Sequence, residues 1–161
     1  MGSTVLLVTY FGVIVPEHQA HRVQLSDGTE VFYYGDARIK TDEHFPSPRE
    51  MTLDGDAFVR VPQGEPPLVV RTRLMVLTLT GGSEVRVTGH ANEAGEQVEV
   101  LRGQTVVKKS YSSPFAEPDR LAAGEMSMLN QSIDLMEKEK SDSHELRTWR
   151  DRLIHRAAAT P

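Results

Sequence analysis

Four segments of the chain share one plan, in which short apolar stretches flank a glycine turn. In residues 23–31, valine and leucine alternate with polar residues up to an Asp-Gly dipeptide, which accepts the positive φ of a type I′ turn, and the alternation then resumes. The other copies centre on Gly55, Gly82 and Gly103. One hairpin cannot bury its apolar face alone. The repetition therefore predicts a mainly β fold: a compact β-solenoid or a two-sheet sandwich built from successive hairpins, with a C-terminal helical tail.

The composition changes after residue 109, and this change predicts three parts. Residues 4–109 form the β domain, and residues 110–120 are rich in serine and proline, which is typical of a linker. Residues 121–157 are predicted as a helical tail, because their apolar residues recur at steps of three or four. A first helix carries Met126, Leu129, Ile133 and Met136. A second, capped by Ser141 or Ser143, carries Leu146, Trp149 and Leu153.

The alternation also predicts a core. We expect burial of Val23, Leu25, Val31, Leu53, Phe58, Val61, Val69, Leu79, Val85, Val87, Val98, Val100 and Val106. Residues 5–15 are almost all apolar and rich in β-branched and aromatic side chains, which favours a buried strand. The alternative for this run is the end of a trimmed membrane anchor, although a spanning helix needs about 20 residues.

Composition and motifs exclude several classes of function. The net charge is −5, which disfavours general binding to nucleic acid. The chain has no cysteine, so it lacks disulfides, thiolate zinc sites and cysteine nucleophiles. Its six histidines form no metal motif, its serines stand in no G-x-S-x-G, and Asp54 and Asp56 sit together on a predicted turn. We therefore predict no enzyme activity, no cofactor and no metal.

The candidate partner-binding residues lie in the predicted tail and on one strand. A methionine-rich helical face either binds a partner or covers a core, and Trp149 is an anchor in either case. Arg71 and Arg73 alternate on one strand, where they either grip an anion or guard an exposed edge. The tail candidates on the first helix are Met126, Leu129, Ile133 and Met136.

Six segments resemble, in order, the motifs of the FecR domain. Residues 21–31 are similar to V-x-L-x-D-G-[ST]-x-V and residues 49–58 to R-x-V-x-L-x-G-E-A-Y-F. The other four are residues 67–72 (P-F-x-V-x-T), 82–87 (G-T-x-F-x-V), 98–107 (V-x-V-x-x-G-x-V-x-V) and 121–125 (L-x-P-G-E). The chain departs from the pattern at Asp56, Ser83, Val85 and Ala123, where the family has Glu, Thr, Phe and Pro.

The resemblance implies a non-catalytic regulatory module of the periplasm. FecR-type proteins are membrane-anchored and relay the occupancy of a TonB-dependent transporter to an extracytoplasmic-function sigma factor. The expected partner is therefore the transporter's signalling domain or another envelope protein. Two alternatives remain: a structural or scaffolding envelope protein that forms a homo-oligomer, and a small carbohydrate-binding or hydrolytic β-domain.

Overall fold

The computed structural model of the chain describes residues 19–89 and 93–159, so the predicted strand or trimmed anchor at residues 5–15 lies outside it. The described chain is mainly β, as the sequence predicts, and has one C-terminal helix where the sequence predicts two. In chain order the elements are β1 (Ala20–Gln24), β2 (Glu30–Tyr34), β3 (Arg38–Thr41), β4 (Glu50–Arg60), β5 (Leu68–Arg71), β6 (Met75–Leu79), β7 (Glu84–Gly89), β8 (Gly95–Arg102), β9 (Gln104–Lys109), β10 (Asp119–Ala122), β11 (Glu125–Asn130), a 3-10 turn (Gln131–Ile133), β12 (Leu135–Lys140) and α1 (Ser143–Ala159).

The long strand β4 belongs to two halves of one sheet. Residues 55–60 lie in the first half-sheet, which has the order β1-β2-β4-β7-β8-β11-β12. Residues 50–54 lie in the second half-sheet, which has the order β3-β4-β5-β6-β9-β10. The described strand pairs are antiparallel except β4 with β5. The result is a nearly closed, barrel-like sheet, and neither the solenoid nor the sandwich is confirmed.

Gly55 marks the point where β4 passes from one half-sheet to the other. Its φ is 127°, and a Cβ at this position would lie 2.8 Å from the Ala37 Cα. Glycine is therefore required both for the bend and for the close approach of the chain at Ala37. The hairpin predicted around this glycine is wrong, because Leu53, Gly55 and Ala57 all face inward and the alternation continues through the bend without a reversal.

The other three glycine turns exist, but only the first closes a hairpin. β1 pairs with β2 across the turn at Gly28, as predicted. The turn is not the predicted two-residue type I′ turn, because residues 25–29 lie between the strands and Gly28 but not Asp27 has a positive φ. The turn at Gly82 joins β6 to β7, and the turn at Gly103 joins β8 to β9; in each case the two strands belong to different half-sheets. A Cβ at Gly103 would collide with Ser83, so these two turns pack directly against each other at one end of the sheet.

The core lies between the two half-sheets, and a second apolar cluster lies on the outer face of the first half-sheet. Inward-facing residues of both half-sheets form the core, whereas Phe58 points outward and is buried beneath α1 by Leu153 and Ala157. Nine of the thirteen predicted core residues are buried. The other four, Val23, Leu25, Val69 and Val106, are half-buried. At Val69 and Val106 the neighbouring valines Val70 and Val107 face inward instead.

The predicted helix through residues 126–136 is wrong. β11 and β12 form a hairpin there, and β11 also pairs with β8. Ser127 and Leu129 are buried and alternate with exposed residues, so a period of two prevails over the helical spacing. The predicted second helix is confirmed as α1, but its cap is Asp142, whose carboxylate accepts the Glu145 N–H at 3.0 Å. No helix in residues 19–89 or 93–159 is long and apolar enough to cross a membrane.

Candidate functional site

The exposed large apolar side chains of the described residues gather around the β11–β12 turn. They are Met128, Ile133, Leu135 and Phe115, with 41%, 67%, 42% and 70% of their surface exposed. Ile133 and Leu135 line two adjoining depressions of about 400 and 750 Å³, the first with Met128 and the second with Phe115. We call these four residues the hairpin surface. Exposed apolar side chains gathered in one patch are typical of a protein-binding site.

A hydrogen-bond network around Asp134 holds the hairpin surface in place. Asp134 ends the 3-10 turn in the left-handed conformation, with φ of 49°. Its carboxylate accepts hydrogen bonds from Lys109 at 2.9 Å, Tyr111 at 2.7 Å and Ser113 at 2.5 Å. The Lys109 side chain is only 3% exposed. The predicted linker is therefore tied to the tip of the hairpin, and Phe115 is positioned by that tie.

The network shifts the pKa values of two of its members. Hydrogen bonds from Ser113, Lys109 and Tyr111 favour the charged form of Asp134 and lower its pKa to about 2. Burial, together with the hydrogen bond to the Asp134 carboxylate, raises the pKa of Tyr111 to about 12. Both groups therefore keep their protonation states across the neutral range, and the support beneath the hairpin surface is insensitive to pH there.

β12 leaves one side of its backbone unpaired. Among the described strands it pairs only with β11. The Ser141 N–H donates to the Gly124 carbonyl at 2.8 Å, so the backbone of Ser141 points toward β11. Because backbone groups alternate along an antiparallel strand, those of Glu137 and Glu139 also point toward β11, and those of Met136, Lys138 and Lys140 point away. The hairpin surface thus adjoins an edge that can accept another strand.

The two predicted arginines line a separate basic depression of about 320 Å³, which also contains Arg38 and Lys40. Arg71 donates to Glu50 at 2.6 Å, and Arg73 donates to Gln131 at 3.3 Å and to the Glu93 carbonyl. The edge-strand interpretation of this segment is wrong, because β5 lies between β4 and β6. Through Gln131, Arg73 connects this depression to the turn that carries the hairpin surface.

The remaining predicted site residues lie in or beside the hairpin but are largely covered. Leu129 is a core residue with 2% of its surface exposed, and Met136 is half-buried against the core. Met126 is half-buried on the outer face of β11. Of the predicted tail residues on β11, the turn and β12, only Ile133 is prominently exposed. The sequence prediction missed Phe115 and Leu135. The isolation of Phe115 in a polar loop and the alternation along β12 at Leu135 could have indicated them.

Trp149 binds the protein's own sheet. Its ring lies 6.4 Å from that of Phe58 and 6.3 Å from that of Tyr34, and the Arg86 guanidinium lies 3.9 Å from its centroid. Arg86 is in turn held by Asp56 through hydrogen bonds of 3.1 and 2.8 Å. This stack of cation, indole and aromatic rings fastens α1 to the first half-sheet. Trp149 is therefore a structural anchor for the helix.

One buried carboxylate lies at the end of β8 beside the hairpin. Glu96 is 4% exposed, and its Oε1 accepts hydrogen bonds from the Thr72 hydroxyl and, at 3.2 Å, from the Leu74 N–H. Its Oε2 has no partner among the described residues. Burial raises its pKa, and the hydrogen bonds oppose that rise. The described part of the chain contains no group of three or more His, Asp or Glu residues able to hold a metal ion.

The fold is shared with proteins of known structure. Two crystal structures of "a putative anti-sigma factor" from Parabacteroides distasonis superimpose with a TM-score of 0.72 and 24% sequence identity over 85% of this chain. The chain spans 63% and 62% of the length of those two chains. No family model and no curated protein matches the sequence.

Proposed function

We propose that this chain is a non-catalytic regulatory domain of the anti-sigma type. In this proposal it works in the periplasm, as a FecR-like module that relays a cell-surface signal to an extracytoplasmic-function sigma factor. The observation that carries the proposal is the shared fold, with a TM-score of 0.72 to the two anti-sigma structures. The collinear FecR-like motifs, which are independent of that comparison, support the same role.

The geometry supports a binding role without chemistry. The hairpin surface exposes four large apolar side chains on a hairpin that the Asp134 network fixes at its tip. The one strongly buried acid near it, Glu96, has its Oε1 occupied by structural hydrogen bonds. The domain therefore presents a preformed apolar surface, which reduces the ordering cost of binding. Its proposed partner is a transporter signalling domain or another envelope protein.

A reporter experiment tests this role in the bacterium that carries the gene. Deleting the gene should change transcription from promoters that an extracytoplasmic-function sigma factor of that bacterium controls, and the wild-type gene should restore the original level. Ile133→Asp should fail to restore it, because Ile133 is 67% exposed and the substitution alters the surface without disturbing the core. Arg152→Asp, on the exposed side of α1, is the matched control and should restore it.

Two results would overturn the proposal. One is a reporter level that neither deletion nor overproduction of the chain alters. The other is turnover of a small substrate by the purified protein. A stable homo-oligomer in sizing chromatography, combined with an unaffected reporter, would instead favour the scaffolding role.

A further inference from the structure

We propose that β12 takes up an extended segment of a partner protein as an added antiparallel strand, and that this segment is basic on one face and acidic on the other. The inference rests on the proposed function, since it specifies which part of the partner the domain recognises. Strand addition derives affinity from backbone hydrogen bonds and specificity from alternate side chains. β12 offers both the unpaired backbone groups and the alternating side chains that this mode of binding needs.

The charges of β12 are separated by face. Glu137 lies opposite Met128 and Glu139 opposite Met126, on the outer face of the first half-sheet. Lys138 lies opposite Ser127, which is fully buried, so Lys138 and Lys140 lie on the inner side. The Lys138 ammonium confirms this direction, because it donates to the Arg120 carbonyl of β10 at 3.0 Å. The edge therefore shows acid on one side and base on the other.

This separation disfavours a second copy of the chain as the occupant. When two identical edges pair antiparallel, outer-face residues must lie opposite outer-face residues, since side chains alternate with a period of two. In the registers that overlap most of β12, Glu137 then lies opposite Glu137 or Glu139 of the other copy. In the latter register Lys138 also faces Lys138. Like charges directly opposite each other destabilise a strand pair.

A segment of a different protein can pair with β12 without placing like charges opposite each other. Basic side chains opposite Glu137 and Glu139, and acidic ones opposite Lys138 and Lys140, give attractive pairs on both faces. The unpaired backbone groups of Met136, Lys138 and Lys140 supply the hydrogen bonds. At the start of the strand Leu135 is 42% exposed beside Ile133, so the complementary segment ends in apolar residues there. An antiparallel segment places that apolar end at its own C-terminus.

Two synthetic peptides of identical composition test the inference. Both carry lysines, glutamates and two C-terminal valines, and only one of them alternates lysine with glutamate, whereas the other groups them in blocks. The alternating peptide should bind the full chain about tenfold more tightly than the block peptide. Amide exchange measured by NMR should show new protection at Met136, Lys138 and Lys140. The amides of Glu137 and Glu139 already face β11 and should change little.

A backbone substitution separates strand addition from surface attraction. Lys138→Pro removes one N–H that points away from β11, and proline is tolerated on edge strands. It should weaken binding of the alternating peptide about tenfold, whereas Lys138→Ala, which keeps the N–H, should weaken it far less. Circular dichroism checks that each variant folds; if the proline variant does not, the exchange pattern of the wild type decides.

The results of these experiments show what binds to the edge of β12. Equal binding of both peptides overturns the inference, and so does amide protection that appears elsewhere on the surface. Absence of binding also overturns it, and β12 would then be only an edge that its charges guard against pairing. Dimerisation through β12 would assign the edge to a second copy. Binding that appears only after removal of residues 1–18 would assign it to the chain's own N-terminal segment. A Lys138→Pro variant that fully restores the sigma-factor reporter would refute this inference and leave the proposed function standing.

Discussion

Replacing Glu96 by glutamine should stabilise the protein at neutral pH. The wild type buries the Glu96 carboxyl group, and its Oε2 has no hydrogen-bond partner among the described residues. Glutamine keeps an acceptor for the Thr72 hydroxyl and the Leu74 N–H and puts a neutral amide nitrogen in the place of Oε2, so the side chain cannot carry a buried charge. An unsatisfied buried polar group costs about 1–3 kcal/mol and a charged one costs more. We therefore expect Glu96→Gln to raise the free energy of unfolding by about 1–3 kcal/mol.

The pH dependence of this gain gives a sharper test. Because burial raises the pKa of Glu96 above the ordinary value of 4.5, the folded protein binds the proton more tightly than the unfolded chain. The acid's stabilising contribution is complete below pH 4.5 and falls as the pH rises through the folded-state pKa. The gain from Glu96→Gln should therefore be smallest in acid and grow toward neutral pH.

Urea unfolding from about pH 4 to pH 8 measures both effects. Thermal unfolding should show the same gain as about 2–4 °C per kcal/mol. Glu99→Gln is the matched control: Glu99 lies on the same strand, its carboxylate accepts a hydrogen bond from Ser141 at 2.9 Å, and it is only half-buried. A Glu96→Gln variant less stable than the wild type at neutral pH, with an unchanged slope against pH, would refute the reasoning.

Three further substitutions test the supports of the fold. Gly55→Ala should lower the free energy of unfolding by about 2 kcal/mol or more in urea unfolding, because φ is 127° and the new methyl group meets Ala37. Asp134→Ala should lower the melting temperature at neutral pH. The difference in melting temperature from the wild type should shrink as the pH falls from 3.8 to about 2, because the wild-type carboxylate is protonated over this range. A difference that stays constant with pH would contradict the assigned network. Arg86→Ala should cost about 0.5–2 kcal/mol and alter the fluorescence of Trp149, the single tryptophan; unaltered emission would argue against the stack.

Local alternation and turn chemistry made much of the sheet predictable. The segment around Asp27 and Gly28 closes a hairpin because Gly28 takes the positive φ that the turn needs and the flanking segments alternate, and the Asp27 carboxylate accepts the Thr29 N–H at 2.9 Å. At Gly55 the same signals mislead. A glycine within an alternating run indicates either a reversal or a bend, and the contact with Ala37 that selects the bend depends on the tertiary fold.

The candidate site was harder to predict because residues 126–136 fit two periods. Their apolar residues satisfy the helical spacing, and Ser127 gives no apolar signal at a buried strand position, where its hydroxyl donates to Asp119 at 2.8 Å. Pairing of β11 with β8 supplies backbone hydrogen bonds that an isolated segment lacks. The segment was therefore assigned the wrong secondary structure, and the exposed Leu135 was missed; its role in binding stays a prediction.

The sharing of β4 between the two half-sheets bears on how the protein can come apart. Because one continuous chain segment is hydrogen-bonded into both, neither can peel away or be exchanged with a neighbouring molecule while the other stays intact. Mechanical pulling and proteolysis should therefore meet a single cooperative barrier, with no long-lived half-open species in between. A domain built this way transmits a load through both half-sheets together.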